Sequence, residues 1–166
     1  MAGSSTVLFL CTGNYYRSRF AEELFNFLAP AECPGWSAAS RGIAVDLGRH
    51  NVGPIAKATA RALLERGVSF DPDRARMPLQ LRSADLEAAD HIVALKYAEH
   101  FPLMRERFPL WTAAVGGSRI EYWHVHDVDK MTPGEALPII EGEVVGLLKR
   151  LGGVMGRASR HLKRGG

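Results

Sequence analysis

At 166 residues, with 46% hydrophobic and 23% charged side chains, the chain has the composition of one ordinary globular domain with enough length for a substantial core. No apolar run approaches the ~20 residues of a membrane span. The N-terminus lacks the basic and long apolar segments of a signal peptide, and two cysteines make no disulfide framework, so a reducing, cytoplasmic setting is expected. The net charge of +3 comes from the end of the chain. Lys149, Arg150, Arg157, Arg160, Lys163 and Arg164 meet no acidic residue there; taking those six from 21 leaves fifteen basic against eighteen acidic side chains. The expected organisation is a single domain over residues 1–151 and a flexible, solubilising basic tail over 152–166. No nucleic-acid role is expected of it.

The first predicted element begins at Val7-Leu8-Phe9-Leu10, a short apolar run that reads as a buried strand. It runs into Cys11-Thr12-Gly13-Asn14-Tyr15-Tyr16-Arg17-Ser18, and then Phe20, Ala21, Leu24, Phe25 and Leu28 recur at helical spacing. Strand, tight loop and helix in this order suit an oxyanion. A helix N-terminus presents unpaired N–H groups and partial positive charge, and successive loop amides make an anion nest. Gly13 and Asn14 tolerate left-handed backbone angles. Arg17 can grip two phosphate oxygens. Cys11 lies in the field of Arg17 and the helix, which favours thiolate, a nucleophile aimed at bound phosphorus. Ser18 can donate to the sulfur.

Farther along, Pro30, Pro34 and Gly35 mark a loop containing Cys33, read as an incidental thiol. Trp36 to Ser40 reads as a short strand ended by Gly42. Asn51-Val52-Gly53-Pro54 opens a helix with Ile55, Thr59, Ala60, Leu63 and Leu64 on its apolar face, and Gly67 ends it. Phe70 to Leu81 is a surface loop. Ala84 to Ala89 is a short helix, and His91 to Leu95 a third buried strand. Tyr97 to Phe108 is helical but broken by Pro102, ending at Pro109. Ile120 to Val125 is the fourth strand, followed by Asp127 and Asp129. Thr132-Pro133-Gly134-Glu135 begins the last helix, with Ile140, Val144, Leu147, Leu148 and Leu151 as its buried stripe. Strand–helix alternation implies a three-layer α/β/α domain around a four-stranded parallel sheet, Rossmann-like in architecture. Ligands then bind beyond the carboxyl ends of the strands, where Cys11 and the residues after Val125 can meet.

The segment Cys11-Thr12-Gly13-Asn14-Tyr15-Tyr16-Arg17-Ser18 resembles the Cys-x-Gly-Asn-x-x-Arg-Ser loop of the low-molecular-weight protein tyrosine phosphatases. Thioredoxin-coupled arsenate reductases share the fold and loop. The resemblance implies Cys11 as nucleophile, Arg17 as phosphate clamp, Asn14 as loop organiser and Ser18 as thiolate partner. The Trp123-His124-Val125-His126-Asp127 stretch resembles the family's Trp-x-Val-x-Asp-Pro pattern and implies Asp127 as general acid. Val128 replaces the proline, so Asp129 stays a competitor. His50, before Asn51, stands where the family often has an aromatic wall. Lys96 stands where it usually has an acidic residue, Tyr16 replaces its second loop cysteine, Arg19 its proline, and Lys130 and Met131 its tyrosines.

The expected reaction is hydrolysis of a phosphate monoester, from a phosphorylated protein or a small aryl phosphate, through a phosphocysteine. Phosphate, sulfate or vanadate should inhibit by occupying the amides from Thr12 to Ser18, and Tyr15 and Tyr16 are expected to supply an aromatic wall. No metal or cofactor is called for, because loop and arginine neutralise the phosphate. A monomer or weak dimer is expected. Two alternatives remain. Arsenate fits the same loop, although its reduction needs two further cysteines and only Cys33 remains. A non-catalytic phosphate- or phosphoprotein-binding module would keep the loop without the chemistry.

Overall fold

The apolar run near the N-terminus lies in the middle of the sheet. In a computed structural model, which describes residues 3–115 and 119–162, it forms β1 (Ser5–Cys11). Strand β1 pairs in parallel with β2 (Trp36–Gly42) on one side and β3 (His91–Ala94) on the other, and β3 carries β4 (Ile120–Tyr122). The order is β2-β1-β3-β4. Helices α1 (Arg17–Glu32), α2 (Lys57–Glu65), α3 (Ser83–Ala88), α4 (Tyr97–Arg107), α5 (Pro109–Val115) and α6 (Pro133–Leu162) complete the element order. The three-layer α/β/α architecture expected from the sequence is the one present.

Strand alternation divides the core in two. Val7 and Phe9 point to one face, where Phe20 and Phe25 of α1, Leu63 of α2 and Val144 and Leu147 of α6 meet them. Leu8 and Leu10 point to the other, against Leu86 of α3, Met104 of α4 and Ile120 of β4. Burial of each such side chain contributes ~1.5–3 kcal/mol. A strand buried on both faces and flanked by two partners holds its end rigidly, and that end is Cys11.

Several elements differ from expectation. Strand β2 continues to Gly42. Helix α2 starts only at Lys57, so residues 51–56 form an irregular segment beside the site, and Leu64 is exposed rather than packed. Helix α4 runs unbroken through Pro102. Proline there forfeits one backbone bond, and the buried His100 and Met104 hold the helix down on both sides of it. Pro109 starts α5 rather than merely ending α4; proline suits a first helical position. Strand β4 ends at Tyr122, but Trp123 N–H donates to Ala94 O and Val125 N–H to Leu95 O, so the extended chain continues toward Asp127. At the head of α6, Thr132 Oγ1 and its backbone N–H both donate to Glu135 Oε2. Helix α6 runs from Pro133 to Leu162 and so continues past residue 151. Gly152 sits so close to the end of α1 that a Cβ there would lie 2.6 Å from Glu32 O. The last four residues of the tail expected over 152–166 lie outside the described residues.

Candidate active site

Three carboxyl ends converge. Cys11 closes β1, Leu95 and Lys96 follow β3, and Trp123 to Asp127 follow β4. The loop from Cys11 to Arg17 turns over this corner. Cys11 O accepts from Ile43 N–H and Thr12 O from Ala44 N–H, which pins the loop to the segment after β2. Asn14 adopts a left-handed conformation at φ 51°, while Gly13 does not. Gly13 lies against Asn51: a Cβ there would lie 3.1 Å from Asn51 Nδ2, which would have to give way slightly.

Asn14 is fully buried and uses its whole amide. Its Oδ1 accepts from Leu79 N–H at 3.0 Å and from Arg76 at 2.9 Å. That orientation makes Nδ2 the donor to Ser40 Oγ at 2.8 Å and Ser18 Oγ at 3.0 Å. Ser18 Oγ, having accepted, has its own proton free for Cys11 Sγ, 2.9 Å away. The polarity of this chain is thus fixed by a backbone amide, and it ends in a hydrogen bond that stabilises negative charge on sulfur. Arg76 is itself held by Glu22 at 2.9 Å and by Ser40.

Arg17, at the first turn of α1, is buried and surrounded by acceptors. Its NH1 and NH2 donate to Glu99 Oε2 and Oε1 at 3.0 and 2.8 Å, and NH1 also donates to Val125 O at 3.0 Å. Asp127 Oδ2 lies 3.3 Å from NH2. Burial alone would lower the Arg17 pKa; the Glu99 hydrogen bonds and the charges of Cys11, Glu99 and Asp127 outweigh it and raise it. Burial likewise opposes ionisation of Glu99, yet contacts from His100 and Arg17 hold its carboxyl well below the usual range. The acidic partner of the arginine is therefore Glu99, one helical turn beyond Lys96 where the sequence pattern placed it. Sequence reasoning missed it, although three residues along a helix return to the same face. Arg76 and Asn51 were not named as site residues either; Arg76 carries no local signal, and Asn51 reads in the sequence only as part of a helix start.

A pocket of about 150 Å³ is lined by Cys11, Gly13, Tyr15, Tyr16, Arg17, Asn51, Ala56, Ala58, Asp127 and Val128. Tyr15 Oη donates to Val52 O at 2.7 Å, bracing that wall. Tyr16 is buried, and burial with the Asp127 charge pushes its phenol up to about 12 against the pull of Arg17, so it stays protonated. Thr12 turns away from the pocket and donates to Glu99 Oε1 at 2.5 Å. His50 is exposed and does not line the pocket; Asn51 does. Asp129 lines a separate space of about 300 Å³ with Lys96, Glu99, Lys130 and the far side of Asp127. Arg19 is buried and donates to Pro54 O at 2.9 Å, anchoring the chain before α2. Cys33 is buried at the other end of the sheet, beside the start of β2. The six steps of β1 put it on the order of 20 Å from Cys11. Among the described residues no group of three or more His, Cys, Asp or Glu side chains is placed to hold a metal ion.

The low molecular weight phosphotyrosine protein phosphatase family model matches residues 6–151. The low molecular weight protein-tyrosine-phosphatase YfkJ of Bacillus subtilis (strain 168) is 34% identical over 91 residues, 54% of this chain and 55% of that protein. The match thus spans about half the length of that relative. The solved structure of YfkJ from Bacillus subtilis superimposes with a TM-score of 0.62 at 26% identity, covering 96% of each chain. Vibrio vulnificus Wzb in complex with benzylphosphonate gives a TM-score of 0.71 at 20% identity, over 90% of this chain and 100% of that one, a likeness of fold.

Proposed function

We propose, because the chain belongs to the low molecular weight phosphotyrosine protein phosphatase family, that it hydrolyses phosphate monoesters through a phosphocysteine at Cys11. One observation carries this reading: Cys11 Sγ lies 2.9 Å from a serine hydroxyl whose proton is free for it, in a pocket it shares with Arg17 and Asp127. The thiolate attacks phosphorus, the S–P bond forms, and the P–O bond to the leaving group breaks. Asp127, as the carboxylic acid, gives its proton to the departing oxygen. Loop amides from Thr12 to Ser18 and the Arg17 guanidinium stabilise charge spread over the transferring phosphoryl group. Asp127, now the carboxylate, takes a proton from a water that attacks phosphorus; the S–P bond breaks, and phosphate and the Cys11 thiolate are released. Ser18 eases that departure by donating to the sulfur.

The substrate is a phosphorylated tyrosine in a protein or a small aryl phosphate, received in the pocket lined by Tyr15, Tyr16, Asn51 and Val128. Phosphate, sulfate and vanadate are the corresponding inhibitors. The free thiols Cys11 and Cys33 suit the reducing cytoplasm. Among the described residues no helix is long and apolar enough to cross a membrane. Turnover of p-nitrophenyl phosphate with excess chelator, compared between the natural chain and Cys11→Ser, tests the reading. Activity resistant to chelator and abolished by the serine is expected; a serine variant with full turnover would remove Cys11 from the chemistry.

A further inference from the structure

Behind the arginine stands a buried histidine that the hydrolytic scheme does not use. His100 is fully inaccessible. Its Nδ1 accepts from Lys96 N–H at 2.9 Å, while its own backbone N–H donates to Lys96 O at 2.8 Å. Lys96 is the N-cap of α4, so the ring satisfies an amide that helix starts leave unpaired. An acceptor at Nδ1 puts the proton of the neutral ring on Nε2. Burial and the Arg17 charge keep the ring neutral, against Glu99 and Asp127.

Nε2 is aimed at Glu99 Oε1, 3.3 Å away, off the line of a full hydrogen bond and with no other partner. The same oxygen receives Thr12 Oγ1 at 2.5 Å and Arg17 NH2 at 2.8 Å. Glu99 is the bidentate partner of the guanidinium, and it lines the neighbouring space and not the pocket holding Cys11. It therefore holds Arg17 from behind. Three side-chain N–H and O–H groups point at Oε1, and His100 is the one whose ring is itself fixed by a second contact, at Lys96 N–H.

We infer that His100 is a positioning residue for the phosphate clamp: its Nε2–H fixes the Glu99 carboxylate, and Glu99 fixes the plane of the Arg17 guanidinium. A fork binds two phosphate oxygens only when its plane is right, and the acidic group that sets the plane here sits one turn into α4. The capping contact at Lys96 locks the ring, so the helix start and the clamp share one side chain. This role rests on the phosphate-cleaving reading given above.

The test separates capping from positioning. In His100→Asn the short amide oxygen takes the place of Nδ1 and keeps the Lys96 contact but cannot reach Glu99. In His100→Gln the longer amide takes the place of Nε2 and loses the cap. The expected pattern is crossed. The Asn variant melts closer to the natural chain but loses about tenfold in kcat/KM on p-nitrophenyl phosphate. The Gln variant melts lower yet keeps more activity. A double-mutant cycle with Glu99→Gln, read as the dissociation constant for inorganic phosphate by calorimetry, should be strongly non-additive, His100→Asn adding almost nothing once Glu99 is gone. Additive losses, or an Asn variant with natural phosphate affinity and turnover, would overturn the inference. The phosphate cycle needs no turnover, so it decides for or against His100 even if the natural chain hydrolyses nothing, an outcome that would overturn only the hydrolytic reading.

Discussion

Asp127 and Asp129 are two residues apart and face different spaces. Asp127 reaches the pocket with Cys11 and lies 3.3 Å from Arg17, whereas Asp129 is exposed and shares its space with Lys96 and Lys130. General acid help is worth ~10²–10⁴-fold and matters most for a poor leaving group. Asp127→Asn should therefore cut turnover of phenyl phosphate by about that factor and lose far less with an activated leaving group. Asp129→Asn should leave the leaving-group dependence unchanged. Rates over a series of aryl phosphates check this, and a steepened dependence in the Asp129 variant alone would reverse the roles. The residues that surround Cys11 were legible where they are contiguous: the run from Cys11 to Ser18 carries its spacing in itself. Glu99 was not, because a helix lets an acidic side chain 82 residues from Arg17 serve from either of two positions a turn apart. His50 lies in the turn before Asn51 and is exposed, and it is Asn51 that lines the pocket.

Two elements shape the site without entering it. Gly42 ends β2 under the loop, where a Cβ would lie 2.6 Å from Val45 Cγ2, 2.8 Å from Thr12 O and 3.1 Å from Asn14 N. Two of these contacts are backbone of the loop itself. Gly42→Ala should cost about 1–3 kcal/mol of stability and, by displacing Thr12 and Asn14, weaken phosphate binding too; thermal unfolding with and without phosphate measures both. At the other edge, Glu121 of β4 accepts from His91 Nε2 at 2.8 Å, from Arg150 of α6 at 2.7 Å and from Trp123 Nε1 at 2.9 Å. The His91 bond, with help from Arg150 and Trp123, outweighs burial and lowers the carboxyl from 4.5 to about 2. A depressed carboxylate stabilises the fold above its unfolded pKa, and that contribution is lost as pH falls toward the folded value. Glu121→Gln should thus cost about 2 kcal/mol at pH 7, with the difference from the natural chain shrinking between pH 4.5 and 2, as urea unfolding at several pH values would read. Elements were legible wherever period or turn chemistry was strong. Helix α5 was not, because Pro109 served as both a stop and a start, and the continuity of α4 through Pro102 was decided by burial of its neighbours.

For the molecule as a whole, anion binding and stability are one equilibrium. On the proposed reading phosphate binds the assembled loop and not the unfolded chain, so free phosphate at a hundredfold excess over its dissociation constant should add about 2.7 kcal/mol. At roughly 2–4 °C per kcal/mol for a domain of this size, the melting midpoint should rise by about 5–10 °C. Arg17→Lys keeps the charge but not the fork, and most of that rise should vanish in scanning calorimetry of the variant, whatever its own starting midpoint. A variant with the full shift would show that the amides alone hold the anion. The parallel sheet was legible from strand–helix alternation; the way three strand ends enclose one arginine was not, because it depends on strand order in space.

That enclosure has a consequence in time. Arg17 leaves the ribosome well before its partners: Glu99 follows by 82 residues and Val125 by 108. Long-range pairings of this kind form slowly, because loop closure must precede them. A growing chain therefore carries its thiol through about a hundred further residues of synthesis without an oriented guanidinium beside it, and the clamp closes only when the segment after β4 docks. The clamp in this sense waits on the sheet, and is assembled only once β4 and the segment after it are in place.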